Sequence, residues 1–166
     1  MQNLEIERKF LIKLPDCDYL TSREGCKIRH MTQTYLIRHD KDVERRTRKV
    51  EEGQKTVYYY TEKVHRSSLT RYENESEITS DEYNELLSES YSRLTKTRYS
   101  FPYNGHVIEI DVYPYDIGGD AMIGLAVLEV ELQSEREKFD IPAEIEVIRE
   151  LTGTHEFSNK TLAKRI

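Results

Sequence analysis

Residues of one charge sign recur two positions apart along this chain: Glu5/Glu7, Arg46/Arg48, Glu73/Glu75, Lys96/Arg98, Glu109/Asp111 and Glu129/Glu131. Successive side chains of an extended strand point to opposite faces, so the members of each pair are immediate neighbours on one face. Neighbouring like charges cost free energy unless a counter-ion or a ligand lies between them. A sheet with one face in water accounts for a single pair of this kind. Six pairs point to charged faces gathered around something bound.

The pairs fall in segments with period-2 alternation of charged and apolar or small residues. Eight are predicted as strands: Leu4 to Ile12, Met31 to His39, Val43 to Val50, Thr56 to Val64, Arg71 to Ile78, Leu94 to Phe101, Val107 to Tyr113 and Ala126 to Leu132. Glu52-Gly53, Asn104-Gly105 and Gly118-Gly119 are predicted turns between strands. Helices are predicted to be few and short. One starts at Ser80-Asp81-Glu82 and carries Tyr83, Leu86 and Leu87. A second has Pro142 in its first turn, a stripe of Ile145, Ile148 and Leu151, and Gly153 at its end. A last turn uses Leu162, Ala163 and Ile166. The class is mainly β (α+β), and with no linker or low-complexity run in 166 residues, 1–166 reads as a single domain.

Closing the charged faces inward would bring acidic and basic pairs around one central space. Hard divalent cations such as Mg²⁺ prefer carboxylate and water oxygens, whereas phosphoryl oxygens prefer Arg and Lys. A metal-bound polyphosphate needs both sets at once. Charged residues make up 34% of the chain and the net charge is −6, so a broad basic surface for nucleic acid is not expected, and any anion site must be concentrated. Cys17 and Cys26 lack metal-ligand spacing and read as free thiols in a reducing compartment. Charges in the first ten residues and the lack of a long apolar stretch predict no signal peptide and no membrane partner, and therefore a cytoplasmic protein.

Glu5-Ile6-Glu7-Arg8-Lys9 resembles the ExExK signature of the CYTH superfamily, the triphosphate tunnel metalloenzymes. The resemblance continues in order through Gln33-Thr34-Tyr35-Leu36, Glu44-Arg45-Arg46-Thr47-Arg48, Thr61-Glu62-Lys63 and Arg71-Tyr72-Glu73-Asn74-Glu75. It then takes in Lys96-Thr97-Arg98-Tyr99, Glu109-Ile110-Asp111-Val112-Tyr113, Leu128-Glu129-Val130-Glu131-Leu132, Glu150-Leu151-Thr152-Gly153, Ser158-Asn159 and Leu162-Ala163. It is closest to small bacterial-type inorganic triphosphatases.

The resemblance implies a closed eight-stranded antiparallel β-barrel, the triphosphate tunnel, braced by a few short helices. It implies a hydrolase that cleaves inorganic triphosphate to pyrophosphate and phosphate, with Mg²⁺ or Mn²⁺ as cofactor and a small-molecule triphosphate as substrate. Lys9, Arg46, Arg48, Lys63, Lys96 and Arg98 match substrate-clamping positions. Glu5, Glu7, Glu129 and Glu131 match metal-binding carboxylates, and Glu75, Glu109 and Asp111 are grouped with them as further metal-binding candidates. Tyr35 and Lys63 match a catalytic pair in which the ammonium lowers the phenol pKa and the phenolate takes the water proton. Arg45, Thr47 and Glu62 stand at outward positions where relatives tend to be apolar, so this wall is expected to face solvent or a second copy in a homodimer. The chain has no Trp, which argues against recognition of a thiazole. Two alternatives stay open: a class IV-type adenylate cyclase acting on ATP, and a polyphosphate-binding module without turnover.

Overall fold

The computed structural model describes residues 3–67, 70–114 and 119–165. All eight predicted strands form: β1 (Asn3–Lys13), β2 (Lys27–Leu36), β3 (Val43–Glu52), β4 (Lys55–His65), β5 (Thr70–Ile78), β6 (Ser90–Tyr103), β7 (His106–Val112) and β8 (Leu125–Leu132). Every pairing is antiparallel, in the order β6-β2-β3-β4-β5-β1-β8-β7, and β7 returns to β6 to close the ring. Two of the predicted turns join neighbouring strands. Gly53 has φ 59°, at the first position of a two-residue turn that favours glycine there. Asn104 and Gly105 both lie in the left-handed region, at φ 47° and 83°, as a two-residue hairpin between Tyr103 and His106 requires. Gly118 of the third predicted turn lies outside the described residues.

β1 changes partner along one edge. Its first residues, Asn3 to Ile6, pair with β5, while its other edge pairs with β8 from Ile6 to Lys13. The edge vacated by β5 is taken by a short strand, β9 (Val147–Glu150), opposite Phe10 to Ile12. The helix predicted from Pro142 to Leu151 is therefore replaced by a turn, in which Ile145 N–H donates to the Pro142 carbonyl at 3.0 Å, and by this strand. The reason is visible locally. β-Branched Val147 and Ile148 suit an extended chain, and the open β1 edge supplies partners: Lys13 N–H donates to the Glu146 carbonyl at 3.0 Å and Leu151 N–H to the Lys9 carbonyl at 2.8 Å. β10 (Lys164–Arg165) covers part of β6 in the same way. Of the predicted last helical turn, Ile166 lies outside the described residues.

Among the described residues, three short α-helices brace the barrel. α1 (Cys17–Thr21) is capped by Asp16, whose side chain accepts from Asp18 N–H at 2.8 Å. α2 (Ser80–Leu86) begins with a reciprocal capping box between Thr79 and Glu82, one residue before the predicted start. α3 (Asn159–Leu162) is capped by Ser158.

Apolar packing divides between the outside and one end of the barrel. Outward residues of β1, β7 and β8, among them Ile6, Phe10, Ile12, Ile108, Ile110, Leu128 and Val130, pack under Leu20 of α1 and against Phe139, Ile141 and Ile145. A second cluster of Leu11, Leu94, Tyr113, Met122, Val127, Leu151 and Leu162 includes inward positions of β1, β6 and β8 and draws on the C-terminal segment. That cluster stoppers one end of the barrel.

The opposite outer wall corrects an expectation. Arg45 and Thr47 do point outward, yet both are buried, and Tyr83 of α2 stacks on Tyr58 with ring centroids 4.8 Å apart. Arg45 Nε donates to Tyr60 Oη at 2.8 Å, Nη1 to the Ile37 carbonyl at 2.8 Å and Nη2 to Glu89 at 3.1 Å. Tyr60 in turn donates to Glu62 at 2.8 Å. This wall is held by an internal polar network where an apolar contact was expected in relatives.

Candidate functional site in the barrel lumen

Strand register fixes which side chains share the interior. Glu7 pairs with Glu131 and Lys9 with Glu129 across β1 and β8, and Glu109 stands opposite Glu129 across β7 and β8. Tyr35, Arg46, Thr61 and Glu75 form a row across β2 to β5, and Glu44, Lys63 and Glu73 form the next. These rows enclose a cavity of about 1070 Å³. Of the residues assigned to the site from sequence, Glu5, Glu7, Lys9, Tyr35, Arg46, Arg48, Lys63, Glu75, Lys96, Arg98, Glu129 and Glu131 line it, as does Glu109.

Asp111 does not. It is fully buried beneath the lining, and both its oxygens are engaged: Lys96 Nζ donates at 2.7 Å, Arg98 Nε at 2.7 Å and Arg98 Nη2 at 2.9 Å. An acid this enclosed and this fully used is a counter-ion that fixes two cations, which corrects its grouping with the metal-binding carboxylates. Burial works against its charge, and Arg98 and Lys96 overcome that and hold its pKa below the usual value.

The cations differ in how far they are satisfied. Arg98 also donates to Glu109 at 2.8 Å, and Arg48 donates to Glu75 at 2.9 Å. Lys63 lies 3.3 Å from Glu5 and 3.2 Å from Glu73, and Lys9 lies 3.4 Å from Glu129. Arg46 is buried and makes no ion pair with a described residue, and its Nε has no hydrogen-bond partner. The Arg48 Nε is likewise unpartnered, and burial, reinforced by Arg46, lowers the Arg48 pKa. Burial lowers the Lys96 pKa to about 8 in spite of Asp111. A buried N–H without an acceptor is costly, so the Nε atoms of Arg46 and Arg48 leave this row with donors to spare.

The carboxylates show the complementary excess. Burial, followed by the charges of Glu129 and Glu5, raises the Glu7 pKa to about 7. Burial raises Glu131 as well, with Glu5 and Glu109 adding to it. Glu129 is buried too, but Lys9, Arg98 and Lys96 hold it well below the usual range. Among the described residues no three of these groups already converge at coordination spacing; Glu7 is drawn to Arg71 and Glu129 to Lys9. Their chemistry nevertheless fits a hard divalent cation: oxygen donors only, and crowded enough that burial and mutual repulsion raise the pKa of Glu7 and Glu131.

Tyr35 departs from its expected role. It is fully buried on the lumen wall, its hydroxyl accepts from Gln33 Nε2 at 3.3 Å, and burial pushes its pKa up. Arg46, which stands directly opposite on β3, is the charge that opposes this most; Lys63 lies on β4, one strand further away. Arg46 rather than Lys63 is therefore the cation that acts most on the phenol.

The alternation also predicts Arg71 and Glu73 on the charged face without giving them a role, and both line the lumen. Glu44 lines it too. Thr152, His155, Asn159 and Lys160 enter from the C-terminal segment, where no strand periodicity could have announced them.

The CYTH domain model matches residues 3–165. The chain belongs to the CYTH family. Its structure is similar to that of the inorganic triphosphatase NE1496, with 29% identity over 95% of this chain and 96% of that one and a TM-score of 0.57. A conserved protein from Pyrococcus furiosus matches at 21% identity over 80% of both chains, with a TM-score of 0.58. A Hippeastrum protein described as a candidate adenylyl cyclase with a dominant triphosphatase activity matches at 16% identity over 78% of this chain and 80% of that one, with a TM-score of 0.52. The last two likenesses bear on the fold alone. No curated protein matches the CYTH chain by sequence.

Proposed function

We propose that this chain, acting as one unit over 1–166, is a divalent-metal-dependent hydrolase that cleaves inorganic triphosphate to pyrophosphate and phosphate. The observation that carries the reading is the lumen lining, in which Arg46, Arg48, Lys96 and Arg98 share one cavity with the crowded carboxylates Glu7 and Glu131. Lys9, Arg46, Arg48, Lys63, Lys96 and Arg98 bind the phosphoryl oxygens. Glu5, Glu7, Glu129 and Glu131, with Glu75 and Glu109 beside them, are the residues that would hold Mg²⁺ or Mn²⁺. The bound cation would supply charge neutralisation at the phosphoryl oxygens.

In the reaction a water oxygen forms a bond to the terminal phosphorus and gives up a proton to solvent, the bridging P–O bond breaks, and pyrophosphate leaves with the bond's electron pair. The transition state is loose, so most of the catalytic task is alignment and charge stabilisation, which fixed guanidinium groups provide without reorganisation. Arg98, tied to Asp111 and Glu109, is fixed in this sense. Tyr35, protonated, donates a hydrogen bond into the lumen and is not the base. The free thiols of Cys17 and Cys26 suit the reducing cytoplasm in which we place the enzyme.

Phosphate release from tripolyphosphate, ATP and thiamine triphosphate, each with Mg²⁺, Mn²⁺ or excess EDTA, tests the reading. Metal-dependent release with the highest kcat/KM on tripolyphosphate is expected. Full turnover in EDTA would remove the metal from the proposal, and cyclic AMP formed from ATP with Mn²⁺ would replace the hydrolase by a cyclase.

A further inference from the structure

A lysine ammonium is a compact charge on a flexible stem with three rotatable donors, so its direction in a site has to be imposed by its surroundings. Lys96 is almost completely buried in the lumen wall. One N–H donates to Asp111 Oδ2 at 2.7 Å and a second is directed at Asn159 Oδ1, 3.4 Å away. The same Asn159 oxygen accepts from the buried Tyr113 hydroxyl. Because ammonium can only donate, the amide atom facing it must be the oxygen, and the Tyr113 contact locks the amide in that sense. With two donors committed to Asp111 and Asn159, the tetrahedral ammonium has its third N–H direction fixed, and the cavity is what Lys96 lines.

Asn159 is not a strand residue. It is the first residue of α3, whose Ser158 cap accepts from Thr161 N–H at 3.1 Å and whose Leu162 packs with Leu151 in the stopper. Through this amide the C-terminal segment reaches Lys96.

We propose that Asn159, held by Tyr113, is a positioning residue that aims the Lys96 ammonium at a phosphoryl oxygen. This rests on the triphosphatase reading for its catalytic consequence but not for its structural one. Two measurements separate them. In the substrate-free protein, the ¹⁵Nζ resonance of Lys96 is expected to be sharp with slowly exchanging protons, and to broaden or exchange at the solvent-limited rate in Asn159→Ala. In turnover of tripolyphosphate, Asn159→Ala is expected to lower kcat roughly 10- to 100-fold, the scale of a misplaced catalytic group, with a smaller change in KM. In a Lys96→Met background the same substitution should add nothing.

An unchanged Lys96 resonance in Asn159→Ala overturns the proposal whether or not the protein hydrolyses tripolyphosphate. Equal losses from Asn159→Ala in the presence and absence of Lys96 overturn it as well, since they would mark a general structural defect. If Asn159→Ala does not fold, Tyr113→Phe releases the amide without deleting it and should shift the Lys96 resonance in the same direction; no shift there is equally decisive. A wild-type protein that neither binds nor cleaves tripolyphosphate, yet shows the Lys96 signature, removes the function and keeps the positioning.

Discussion

Glu7 and Glu131 stand directly opposite each other across the β1–β8 ladder, with Glu129 beside them, and burial raises the pKa of both. Glu7 moves from 4.5 to about 7. A carboxyl that holds its proton more tightly in the folded state stabilises the fold while protonated, and that contribution is lost as pH rises from about 4.5 through about 7, on the order of 3 kcal/mol for a shift of this size. Glu129 shifts the opposite way, but its contribution is complete above the unfolded carboxylate range and is flat across this window. In EDTA the Tm is therefore expected to fall between pH 5 and pH 7.5, and saturating Mg²⁺ should flatten the curve by replacing the proton. Glu7→Gln should flatten it without metal. A Tm in EDTA that rises over the same interval would contradict the assignment.

Adjacent arginines on opposite faces give a paired test of inside against outside. Arg46→Ala removes a guanidinium that lines the lumen, so KM for tripolyphosphate is expected to increase and kcat to fall. Arg45→Ala breaks the bonds to Tyr60, Ile37 and Glu89, so it should cost about 1–3 kcal/mol of stability and leave kcat/KM within about threefold. Thermal melts and kinetics on the two variants check this, and equal losses of activity would sink the lumen assignment.

Asp111→Asn leaves Lys96 and Arg98 buried without their shared counter-ion. Removing one partner of a buried ion pair costs about 3–5 kcal/mol, and the loss should appear in EDTA as fully as in Mg²⁺. A melt that changes only in the presence of metal would return Asp111 to the metal ligands.

Tyr35→Phe deletes a hydroxyl whose pKa burial has already pushed up. The shape of the pH–rate profile should be that of the wild type, with kcat lowered about tenfold or less, the scale of a lost neutral hydrogen bond. Loss of one limb of the profile would reinstate the phenol as the base.

Much of the site was legible because a strand has period two. Once Glu5, Glu7 and Lys9 are assigned to one face, register with Glu129, Glu131 and Arg71 follows from closure of the ring. The segment from Pro142 to Gly153 was not legible for a matching reason. Its i, i+3, i+6 spacing of Ile145, Ile148 and Leu151 mimics a helix, and only the vacant β1 edge, a property of the assembled sheet, selects the strand. Tyr35 and Asp111 were misread for want of burial: a motif gives a residue's face, but the sign of a pKa shift depends on what encloses it. Asn159 was part of the resemblance but was given no role, because it arrives from a short helix with no alternating neighbours.

The partner change along β1 also governs how the chain can fold. β2 to β5 are joined in sequence and can zip as local hairpins, but Ile6 must find Leu132 before the ring closes. Such high contact order makes closure a slow, late step, and until then β1, β5 and β8 are open edges able to recruit strands from other molecules. The charges on their inner faces oppose that recruitment, because stacking a second copy would set carboxylate against carboxylate. The residues that furnish the lumen of the finished barrel thus guard the nascent sheet against aggregation.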